Sequence, residues 1–330
     1  MTLGATDMSG PILVVVEHDR GVLANASLEA LTAGRALANP DRPLHALTIG
    51  AGADVLAGEL GPYGVATVHQ AHHDVLSDYG PEAWGEVVAQ AVRMLAPTIV
   101  LATGTDRGNE VLAQAAARLD LPMAANCTVL DPGGELTRVR WGGSLLEQAT
   151  LTAEVAILTL AHHAVEALPA DAPGAAEPTS FEPDLDATLA RSIVRDRVER
   201  QAGVTLATAR VVVGGGRGVG SADGFAALED LAKLVGGVVG CSRAVTNNGW
   251  RNHTDQVGQT GTRIAPTVYL ACGISGAVQH WVGAMASKHI VAVNTDPEAN
   301  MVTKAGYAVI GDLHEVVPAI AAEIRRRHGA

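Results

Sequence analysis

Short apolar runs alternate with amphipathic stretches along much of the chain. Residues 11–19, PILVVVEHD, open on a short apolar run, Ile12 to Val16, and read as a buried strand. Residues 25–38, NASLEALTAGRALA, repeat apolar positions at helical spacing, with Asn25 or Ser27 placed to cap. LHALTIG (44–50) and GVATVHQA (64–71) read as strands. PEAWGEVVAQAVRMLA (81–96) reads as a helix with Pro81 in its first turn. TIVLATG (98–104) and MAANCTVL (123–130) are further strands around a helix in NEVLAQAAARLD (109–120). Asp106, Arg107 and Asn109 read as that helix's start. Strand and helix in alternation predict a parallel sheet wound with helices.

The rhythm then changes. LTRVRWGG (136–143), SLLEQATLTA (144–153) and EVAILTL (154–160) leave little room for helices, which predicts antiparallel additions to the first sheet. Residues 167–186 are rich in Pro, Ala and acidic side chains and read as a linker on which a second domain could swing. TLARSIVRDRVERQ (188–201) suits a strand or a helix. An α/β pattern restarts at Val211, with strands at RVVVGG, GVVGCS, TVYLACG, HIVAVN and YAVIGD. Helices are expected at 222–235, 276–287 and 313–327, the last closing on Arg325-Arg326-Arg327, where cations suit a helix C-terminus. The expectation is two α/β domains, residues 1–186 and 187–330, each a mostly parallel sheet flanked by helices.

Composition narrows the function. Of 330 residues, 48% are hydrophobic and only 3% aromatic, so the cores are aliphatic, as covered parallel strands require. A net charge of −12 argues against nucleic acid or an anionic membrane as partner. Cys127, Cys241 and Cys272 lack metal spacing and fit a reducing compartment, here taken as cytoplasmic. No run reaches the roughly 18 apolar residues of a membrane helix, and the N-terminus does not read as a signal peptide. His72-His73 and His162-His163 read as solvated or loop residues, and no metal site is expected.

In an open parallel sheet, ligands bind outside the carboxyl ends of the strands. Each strand of the second half ends in candidate chemistry: Gly214-Gly215-Gly216-Arg217-Gly218, Cys241-Ser242-Arg243, Gly273-Ile274-Ser275-Gly276, Asn294-Thr295-Asp296 and Gly311-Asp312. Glycines admit close backbone approach, and helix starts and arginines hold anions. Ser275 and Gly276 are expected to open a helix, with Gln279 and His280 near its first turn. A large phosphate-bearing ligand is the natural occupant. GGGRGVG contains no G-x-G-x-x-G, so this is not the Rossmann fingerprint.

VVVGGGRG, GCSRAV, QVGQTGTRIAPTVYLACGISGAVQH and IVAVNTDPEANM together resemble the α subunit of electron-transfer flavoproteins, a family that includes nitrogen-fixation-associated paralogues. The likeness is strongest over residues 211–318. It implies FAD in the second domain, at an interface with a β subunit that holds AMP in carriers or a second flavin in bifurcating members. It also implies electrons taken from flavin dehydrogenases, commonly acyl-CoA dehydrogenases, and passed to a quinone oxidoreductase or another acceptor. Such a subunit is an electron carrier with no substrate chemistry of its own.

By position, the resemblance brings Arg217 and Ser242 to the phosphate or ribose and Arg243 against the isoalloxazine. Val257, Gly258, Gln259 and Thr260 would wrap the ring, with the Thr260 hydroxyl near N5. Ser275, Gly276, Ala277, Val278, Gln279 and His280 would form the pyrophosphate turn and reach the ring's carbonyl edge. Asn294, Asp312 and Leu313 would contact the adenosine. Arg243 and a protonated or hydrogen-bonding His280 would stabilise charge on the reduced ring. Two departures stand out: VTNNGWRNHTD (245–255) differs from the family's common VDAGW-VP form, and Asn300 stands where proline is frequent. The alternatives are an electron-bifurcating variant, a stand-alone dinucleotide-binding oxidoreductase and a regulatory nucleotide-binding module. The missing G-x-G-x-x-G and missing acid–base pair count against the oxidoreductase.

Overall fold

Ile12 to Val15 are all buried, and alternate positions feed opposite faces of one sheet. Ile12 and Val14 join one apolar cluster, Leu13 and Val15 another. A run without polar alternation therefore forms a strand covered on both sides. This computed structural model describes residues 10–196 and 204–329. The chain divides into two compact units, Met1–Arg140 with Leu145–Val198, and Trp141–Ser144 with Glu199–Ala330.

The first unit runs β1 (Ile12–Val15), β2 (His18–Asp19), β3 (Val22–Leu23), α1 (Asn25–Leu37), β4 (Leu44–Ile49), α2 (Ala57–Leu60), β5 (Thr67–Ala71), α3 (Pro81–Leu95), β6 (Ile99–Thr103), α4 (Asp106–Leu119), β7 (Met123–Leu130), β8 (Glu135–Arg140), β9 (Leu145–Thr150), β10 (Ala156–Leu160) and β11 (Glu177–Phe181). Its main sheet has the order β11-β5-β4-β1-β6-β10-β7-β8-β9. Helix α1 covers one face; α3 and α4 cover the other.

Three expectations are corrected here. β8 and β9 are antiparallel additions as expected, but β10 is parallel and lies between β6 and β7. Its sequence AILTL is buried almost throughout, which suits an interior strand. The stretch read as a linker supplies β11, paired in parallel along β5 from Glu177↔Thr67 to Phe181↔Ala71. Its exposed side chains and Pro178 are compatible with an edge strand, where a missing N–H is tolerated. Neither Asn25 nor Ser27 caps α1. The cap position is Ala24, and Ser27 instead exchanges hydrogen bonds with the Glu17 backbone. The cap of α4 is Thr105, just before Asp106. Of residues 188–201, those described carry only a short turn at Ala187–Leu189; residues 197–203 lie outside the described residues.

The second unit runs β12 (Val211–Gly215), α5 (Ala226–Leu234), β13 (Val238–Cys241), α6 (Arg243–Asn247), β14 (Val268–Cys272), α7 (Val278–Ala284), β15 (His289–Asn294), α8 (Asn300–Lys304), β16 (Tyr307–Ile310) and α9 (Leu313–His328). The five strands are all parallel, in the order β13-β12-β14-β15-β16. Period two decides which cluster each residue joins. Val213, Leu270, Cys272 and Val293 pack with α5 and α9. Val212, Tyr269, Ala271 and Ala292 pack on the other face with Val257, Ile264, Ala284 and Met301. The arginines closing α9 make local ion pairs, Arg325 with Asp230 and the next two with Glu323.

Candidate functional site

A parallel sheet delivers all its strand ends to one edge, and in the second unit that edge is hollow. A cavity of about 360 Å³ takes residues from all five ends: Arg217 after β12, Ser242 after β13, Ser275 after β14, Asn294 at the end of β15, and Asp312 and Leu313 after β16. All six were expected from the sequence. The volume falls in the range of small-molecule sites, about 300–1,000 Å³. Thr295, Asp296 and Gly311 complete the polar lining. Arg217 is exposed, and its guanidinium has no hydrogen-bond or ion-pair partner among the described residues. Asn294 is committed to the fold: its amide donates to the Ile274 carbonyl at 3.1 Å and accepts from Asp296 N at 3.1 Å. Asp312 caps α9 by accepting from His314 N at 2.9 Å.

The glycines divide by purpose. Gly214 and Gly215 lie inside β12, where an added Cβ would overlap the Tyr269 phenol and the Phe225 ring respectively. They make room for aromatic rings, and only Gly216 and Gly218 belong to the loop. A Cβ on Gly216 or Gly218 would meet the Gly273 backbone, so these glycines let two strand-end loops pack against each other.

A second group of expected residues sits on the face that carries α7. The loop at Val257, Gly258, Gln259 and Thr260 is fastened at both sides: Val257 N donates to Cys241 O at 2.9 Å, and Gln259 N donates to Gln279 O at 2.8 Å. Gly258 has φ +144°, and Gly283 touches its backbone so closely that a Cβ there would overlap it. The loop is thereby joined to α7, bringing Val257–Thr260 beside Gln279 and His280. Ser275 and Gly276 do not open this helix. They lie in an irregular loop, with Gly276 at φ +76°, and α7 begins at Val278 after Ala277. Ser275, Ala277, Val278 and Gln279 are exposed; Gly276 and His280 are buried. Arg243 is the first residue of α6 and exposed, outside the cavity lining.

Two residues not picked from the sequence orient this group. Gln256 is 1% exposed; its Nε2 donates to Thr260 Oγ1 at 3.0 Å and its Oε1 accepts from Thr246 Oγ1 at 2.7 Å. Thr260 Oγ1 is thus an acceptor on the protein side, leaving its own proton to donate outward. Tyr269 is fully buried and meets His280 Nε2 at 2.8 Å. A tyrosine amid an aliphatic strand was the available signal for it. Gln256 offered none beyond its place beside VGQTG.

Burial drives the resolved pKa shifts of Tyr269, His280, Cys241 and Cys272 toward the neutral form. His280 is lowered to about 4, so it is neutral at pH 7, not protonated as one expectation allowed. The Val257 backbone opposes the shift, and His280 Nδ1 is buried without a hydrogen bond of normal geometry. The Cys241 and Cys272 thiols are both pushed up to about 12 and are poor nucleophiles. The divergent stretch 245–255 is anchored by Arg251, which pairs with Glu229 and Asp255 and lies over the Phe225 ring.

The paired histidines of the first unit are not simply solvated. His163 donates to the nearly buried Glu29 from its backbone N at 2.7 Å and meets it through Nδ1 at 3.1 Å, while His162 stacks on His163. His72 pairs with Asp54 at 2.8 Å.

Fold and edge define a two-unit α/β protein whose second unit is a dinucleotide-cofactor domain without the Rossmann glycine motif. A model of the electron transfer flavoprotein domain matches residues 12–186, and one of the electron transfer flavoprotein FAD-binding domain matches residues 205–285. The electron transfer flavoprotein subunit alpha of Mycobacterium leprae is 37% identical over 320 residues, 96% of this chain and 99% of that one. Its Bacillus subtilis counterpart is 33% identical over 323 residues, 97% and 98% of the two chains. Protein FixB of Clostridium saccharobutylicum is 31% identical over 331 residues, 95% and 96%. The chain belongs to the electron transfer flavoprotein alpha subunit family, and FAD is its cofactor. The site fits that cofactor: a polar cavity at the strand ends, and a buried, partnerless Nδ1 on His280 at the adjoining loop. Among the described residues, no helix is long and apolar enough to cross a membrane.

Proposed function

We propose that this chain is the α subunit of a heterodimeric electron carrier. With a β subunit it takes electrons from flavin dehydrogenases, such as acyl-CoA dehydrogenases, and delivers them to a quinone oxidoreductase or another acceptor. The observation that carries this reading is the joined cradle: one loop, Val257–Thr260, is fastened to α7 beside a cavity drawn from five strand ends. FAD bound there supplies the redox chemistry. Arg217, Ser242 and Ser275 hold its phosphate and ribose, and Asp312 and Leu313 meet the adenosine. Arg243 contributes positive charge beside the ring, and Thr260 offers its hydroxyl proton. The buried ionisable groups of this core with resolved shifts all favour their neutral forms, which suits a carrier that takes no proton from a substrate carbon.

The test is the visible spectrum of the full chain produced together with its β partner. A flavin spectrum is expected, with about one FAD per heterodimer in the α site. A folded, colourless complex that takes up no added FAD would overturn the reading. Reduction by an acyl-CoA dehydrogenase with its substrate, followed by reoxidation with a quinone oxidoreductase, then tests donor and acceptor classes separately.

A further inference from the structure

Tyr269 and His280 pose a problem of counting hydrogens. The phenol is 0% exposed, and His280 Nε2, at 2.8 Å, is its one hydrogen-bond partner among the described residues. If Nε2 carried the imidazole proton and donated, the phenolic proton would be orphaned, and so would the lone pair on buried Nδ1. If the phenol donates, only the Nδ1 proton lacks a partner. Each unsatisfied buried polar atom costs roughly 1–3 kcal/mol, so the second arrangement is the stable one.

Resting on the FAD reading above, we propose that Tyr269 is a positioning residue. Its hydroxyl donates to His280 Nε2 and fixes the imidazole as the neutral Nδ1–H tautomer, so that His280 presents one oriented donor to the acceptor edge of the cofactor ring. The orphaned atom is then the one left for the ligand, beside the Val257–Thr260 loop that packs on the same helix. The phenol is held for this task from outside its own strand. The Tyr269 ring occupies the volume that a side chain at Gly214 would fill, so Gly214 is a glycine because the phenol stands there. His280 rides on α7, whose Gln279 carbonyl is bonded to Gln259 N at 2.8 Å, so the imidazole and loop keep one register. Division of labour follows: His280 supplies direction without charge, and the positive charge beside the ring is left to Arg243.

The experiment labels histidine ring nitrogens with ¹⁵N in the complex of the full chain with its β partner, with and without FAD. The His280 signals are assigned by their loss in His280→Gln. The expected result at pH 7 is a pyrrole-type Nδ1 and a pyridine-type Nε2 in both states. Tyr269→Phe is expected to average the two nitrogens and to shift the first one-electron equilibrium of bound FAD about tenfold toward the oxidised form, ~59 mV. A protonated Nε2 in the wild-type protein overturns the proposal. So does Tyr269→Phe with unchanged nitrogen shifts and unchanged potential. If Tyr269→Phe does not fold, the wild-type tautomer alone decides. Absence of FAD from the complex refutes the cofactor reading instead, and the FAD-free spectrum still reports the tautomer.

Discussion

Gln256 shows how much rests on single buried polar atoms near this cofactor site. Its amide is satisfied at both ends, by Thr246 and by Thr260. Gln256→Leu keeps roughly the volume but removes both hydrogen bonds, leaving Thr246 with the Arg243 carbonyl and Thr260 with solvent, and is expected to cost about 0.5–1.5 kcal/mol of stability in denaturant unfolding. It should also weaken FAD retention, because Thr260 loses its fixed orientation; unchanged retention on dialysis would refute that role. Arg243 behaves oppositely. It is exposed, with no side-chain partner among the described residues. Arg243→Ala is therefore expected to leave the unfolding midpoint within about 0.5 kcal/mol of wild type. In the FAD complex it should change the spacing of the two one-electron potentials, measured by potentiometry. The reverse pattern, a lost fold with intact potentials, would remove Arg243 from the site.

Elements bring these residues together by close approach. Gly283→Ala places a methyl group into the Gly258 backbone. It is expected to lift the 256–262 loop off α7 and to weaken FAD binding at least tenfold in a titration of the FAD-free complex. Gly306→Ala is the control, since its Cβ would meet only the Ile290 carbonyl at 3.8 Å. The strand β11 makes a different prediction. Its backbone is paired with β5, so limited proteolysis should spare residues 177–181, whatever their linker-like composition. Early cleavage inside that strand would return it to a linker. The same strand shows where reading the sequence stops. Apolar runs announced the interior strands, and LTRVR and LLEQAT announced the antiparallel pair. An exposed edge strand containing Pro178 buries little, so its composition carries no strand signal. β10 was visible as a strand, yet its parallel place between β6 and β7 depends on partners distant in sequence.

At the scale of the whole chain, buried neutral histidines tie stability to pH. His69, bonded to His45 at 3.0 Å, and His280 are each lowered to about 4, chiefly by burial, and His18 is lowered for the same reason. Unfolding exposes these rings, which then protonate near pH 6.5. Between pH 6.5 and 4 the unfolded chain binds more protons, so stability falls as pH drops through that window and is full above it. For His280 alone the loss is about 3 kcal/mol across the window. Denaturant midpoints at pH 7.5 and 5 should differ accordingly, and His69→Gln should flatten the part belonging to the first unit; equal midpoints would refute this. The chain's own order of residues settled two mostly parallel α/β sheets and the strand-end chemistry, because periods of 2 and 3.6 and a five-fold repeat of strand-then-loop are local patterns, and its contiguous motifs, such as GCSRAV and QVGQTGTRIAPTVYLACGISGAVQH, carried the flavoprotein resemblance. It did not settle which polar atoms would be orphaned and which satisfied. Gly214 yields its volume to Tyr269 across neighbouring strands, and Gln256 and Tyr269 reach the site from behind. Those contacts follow from strand order and close packing, which bring together residues that no local pattern relates.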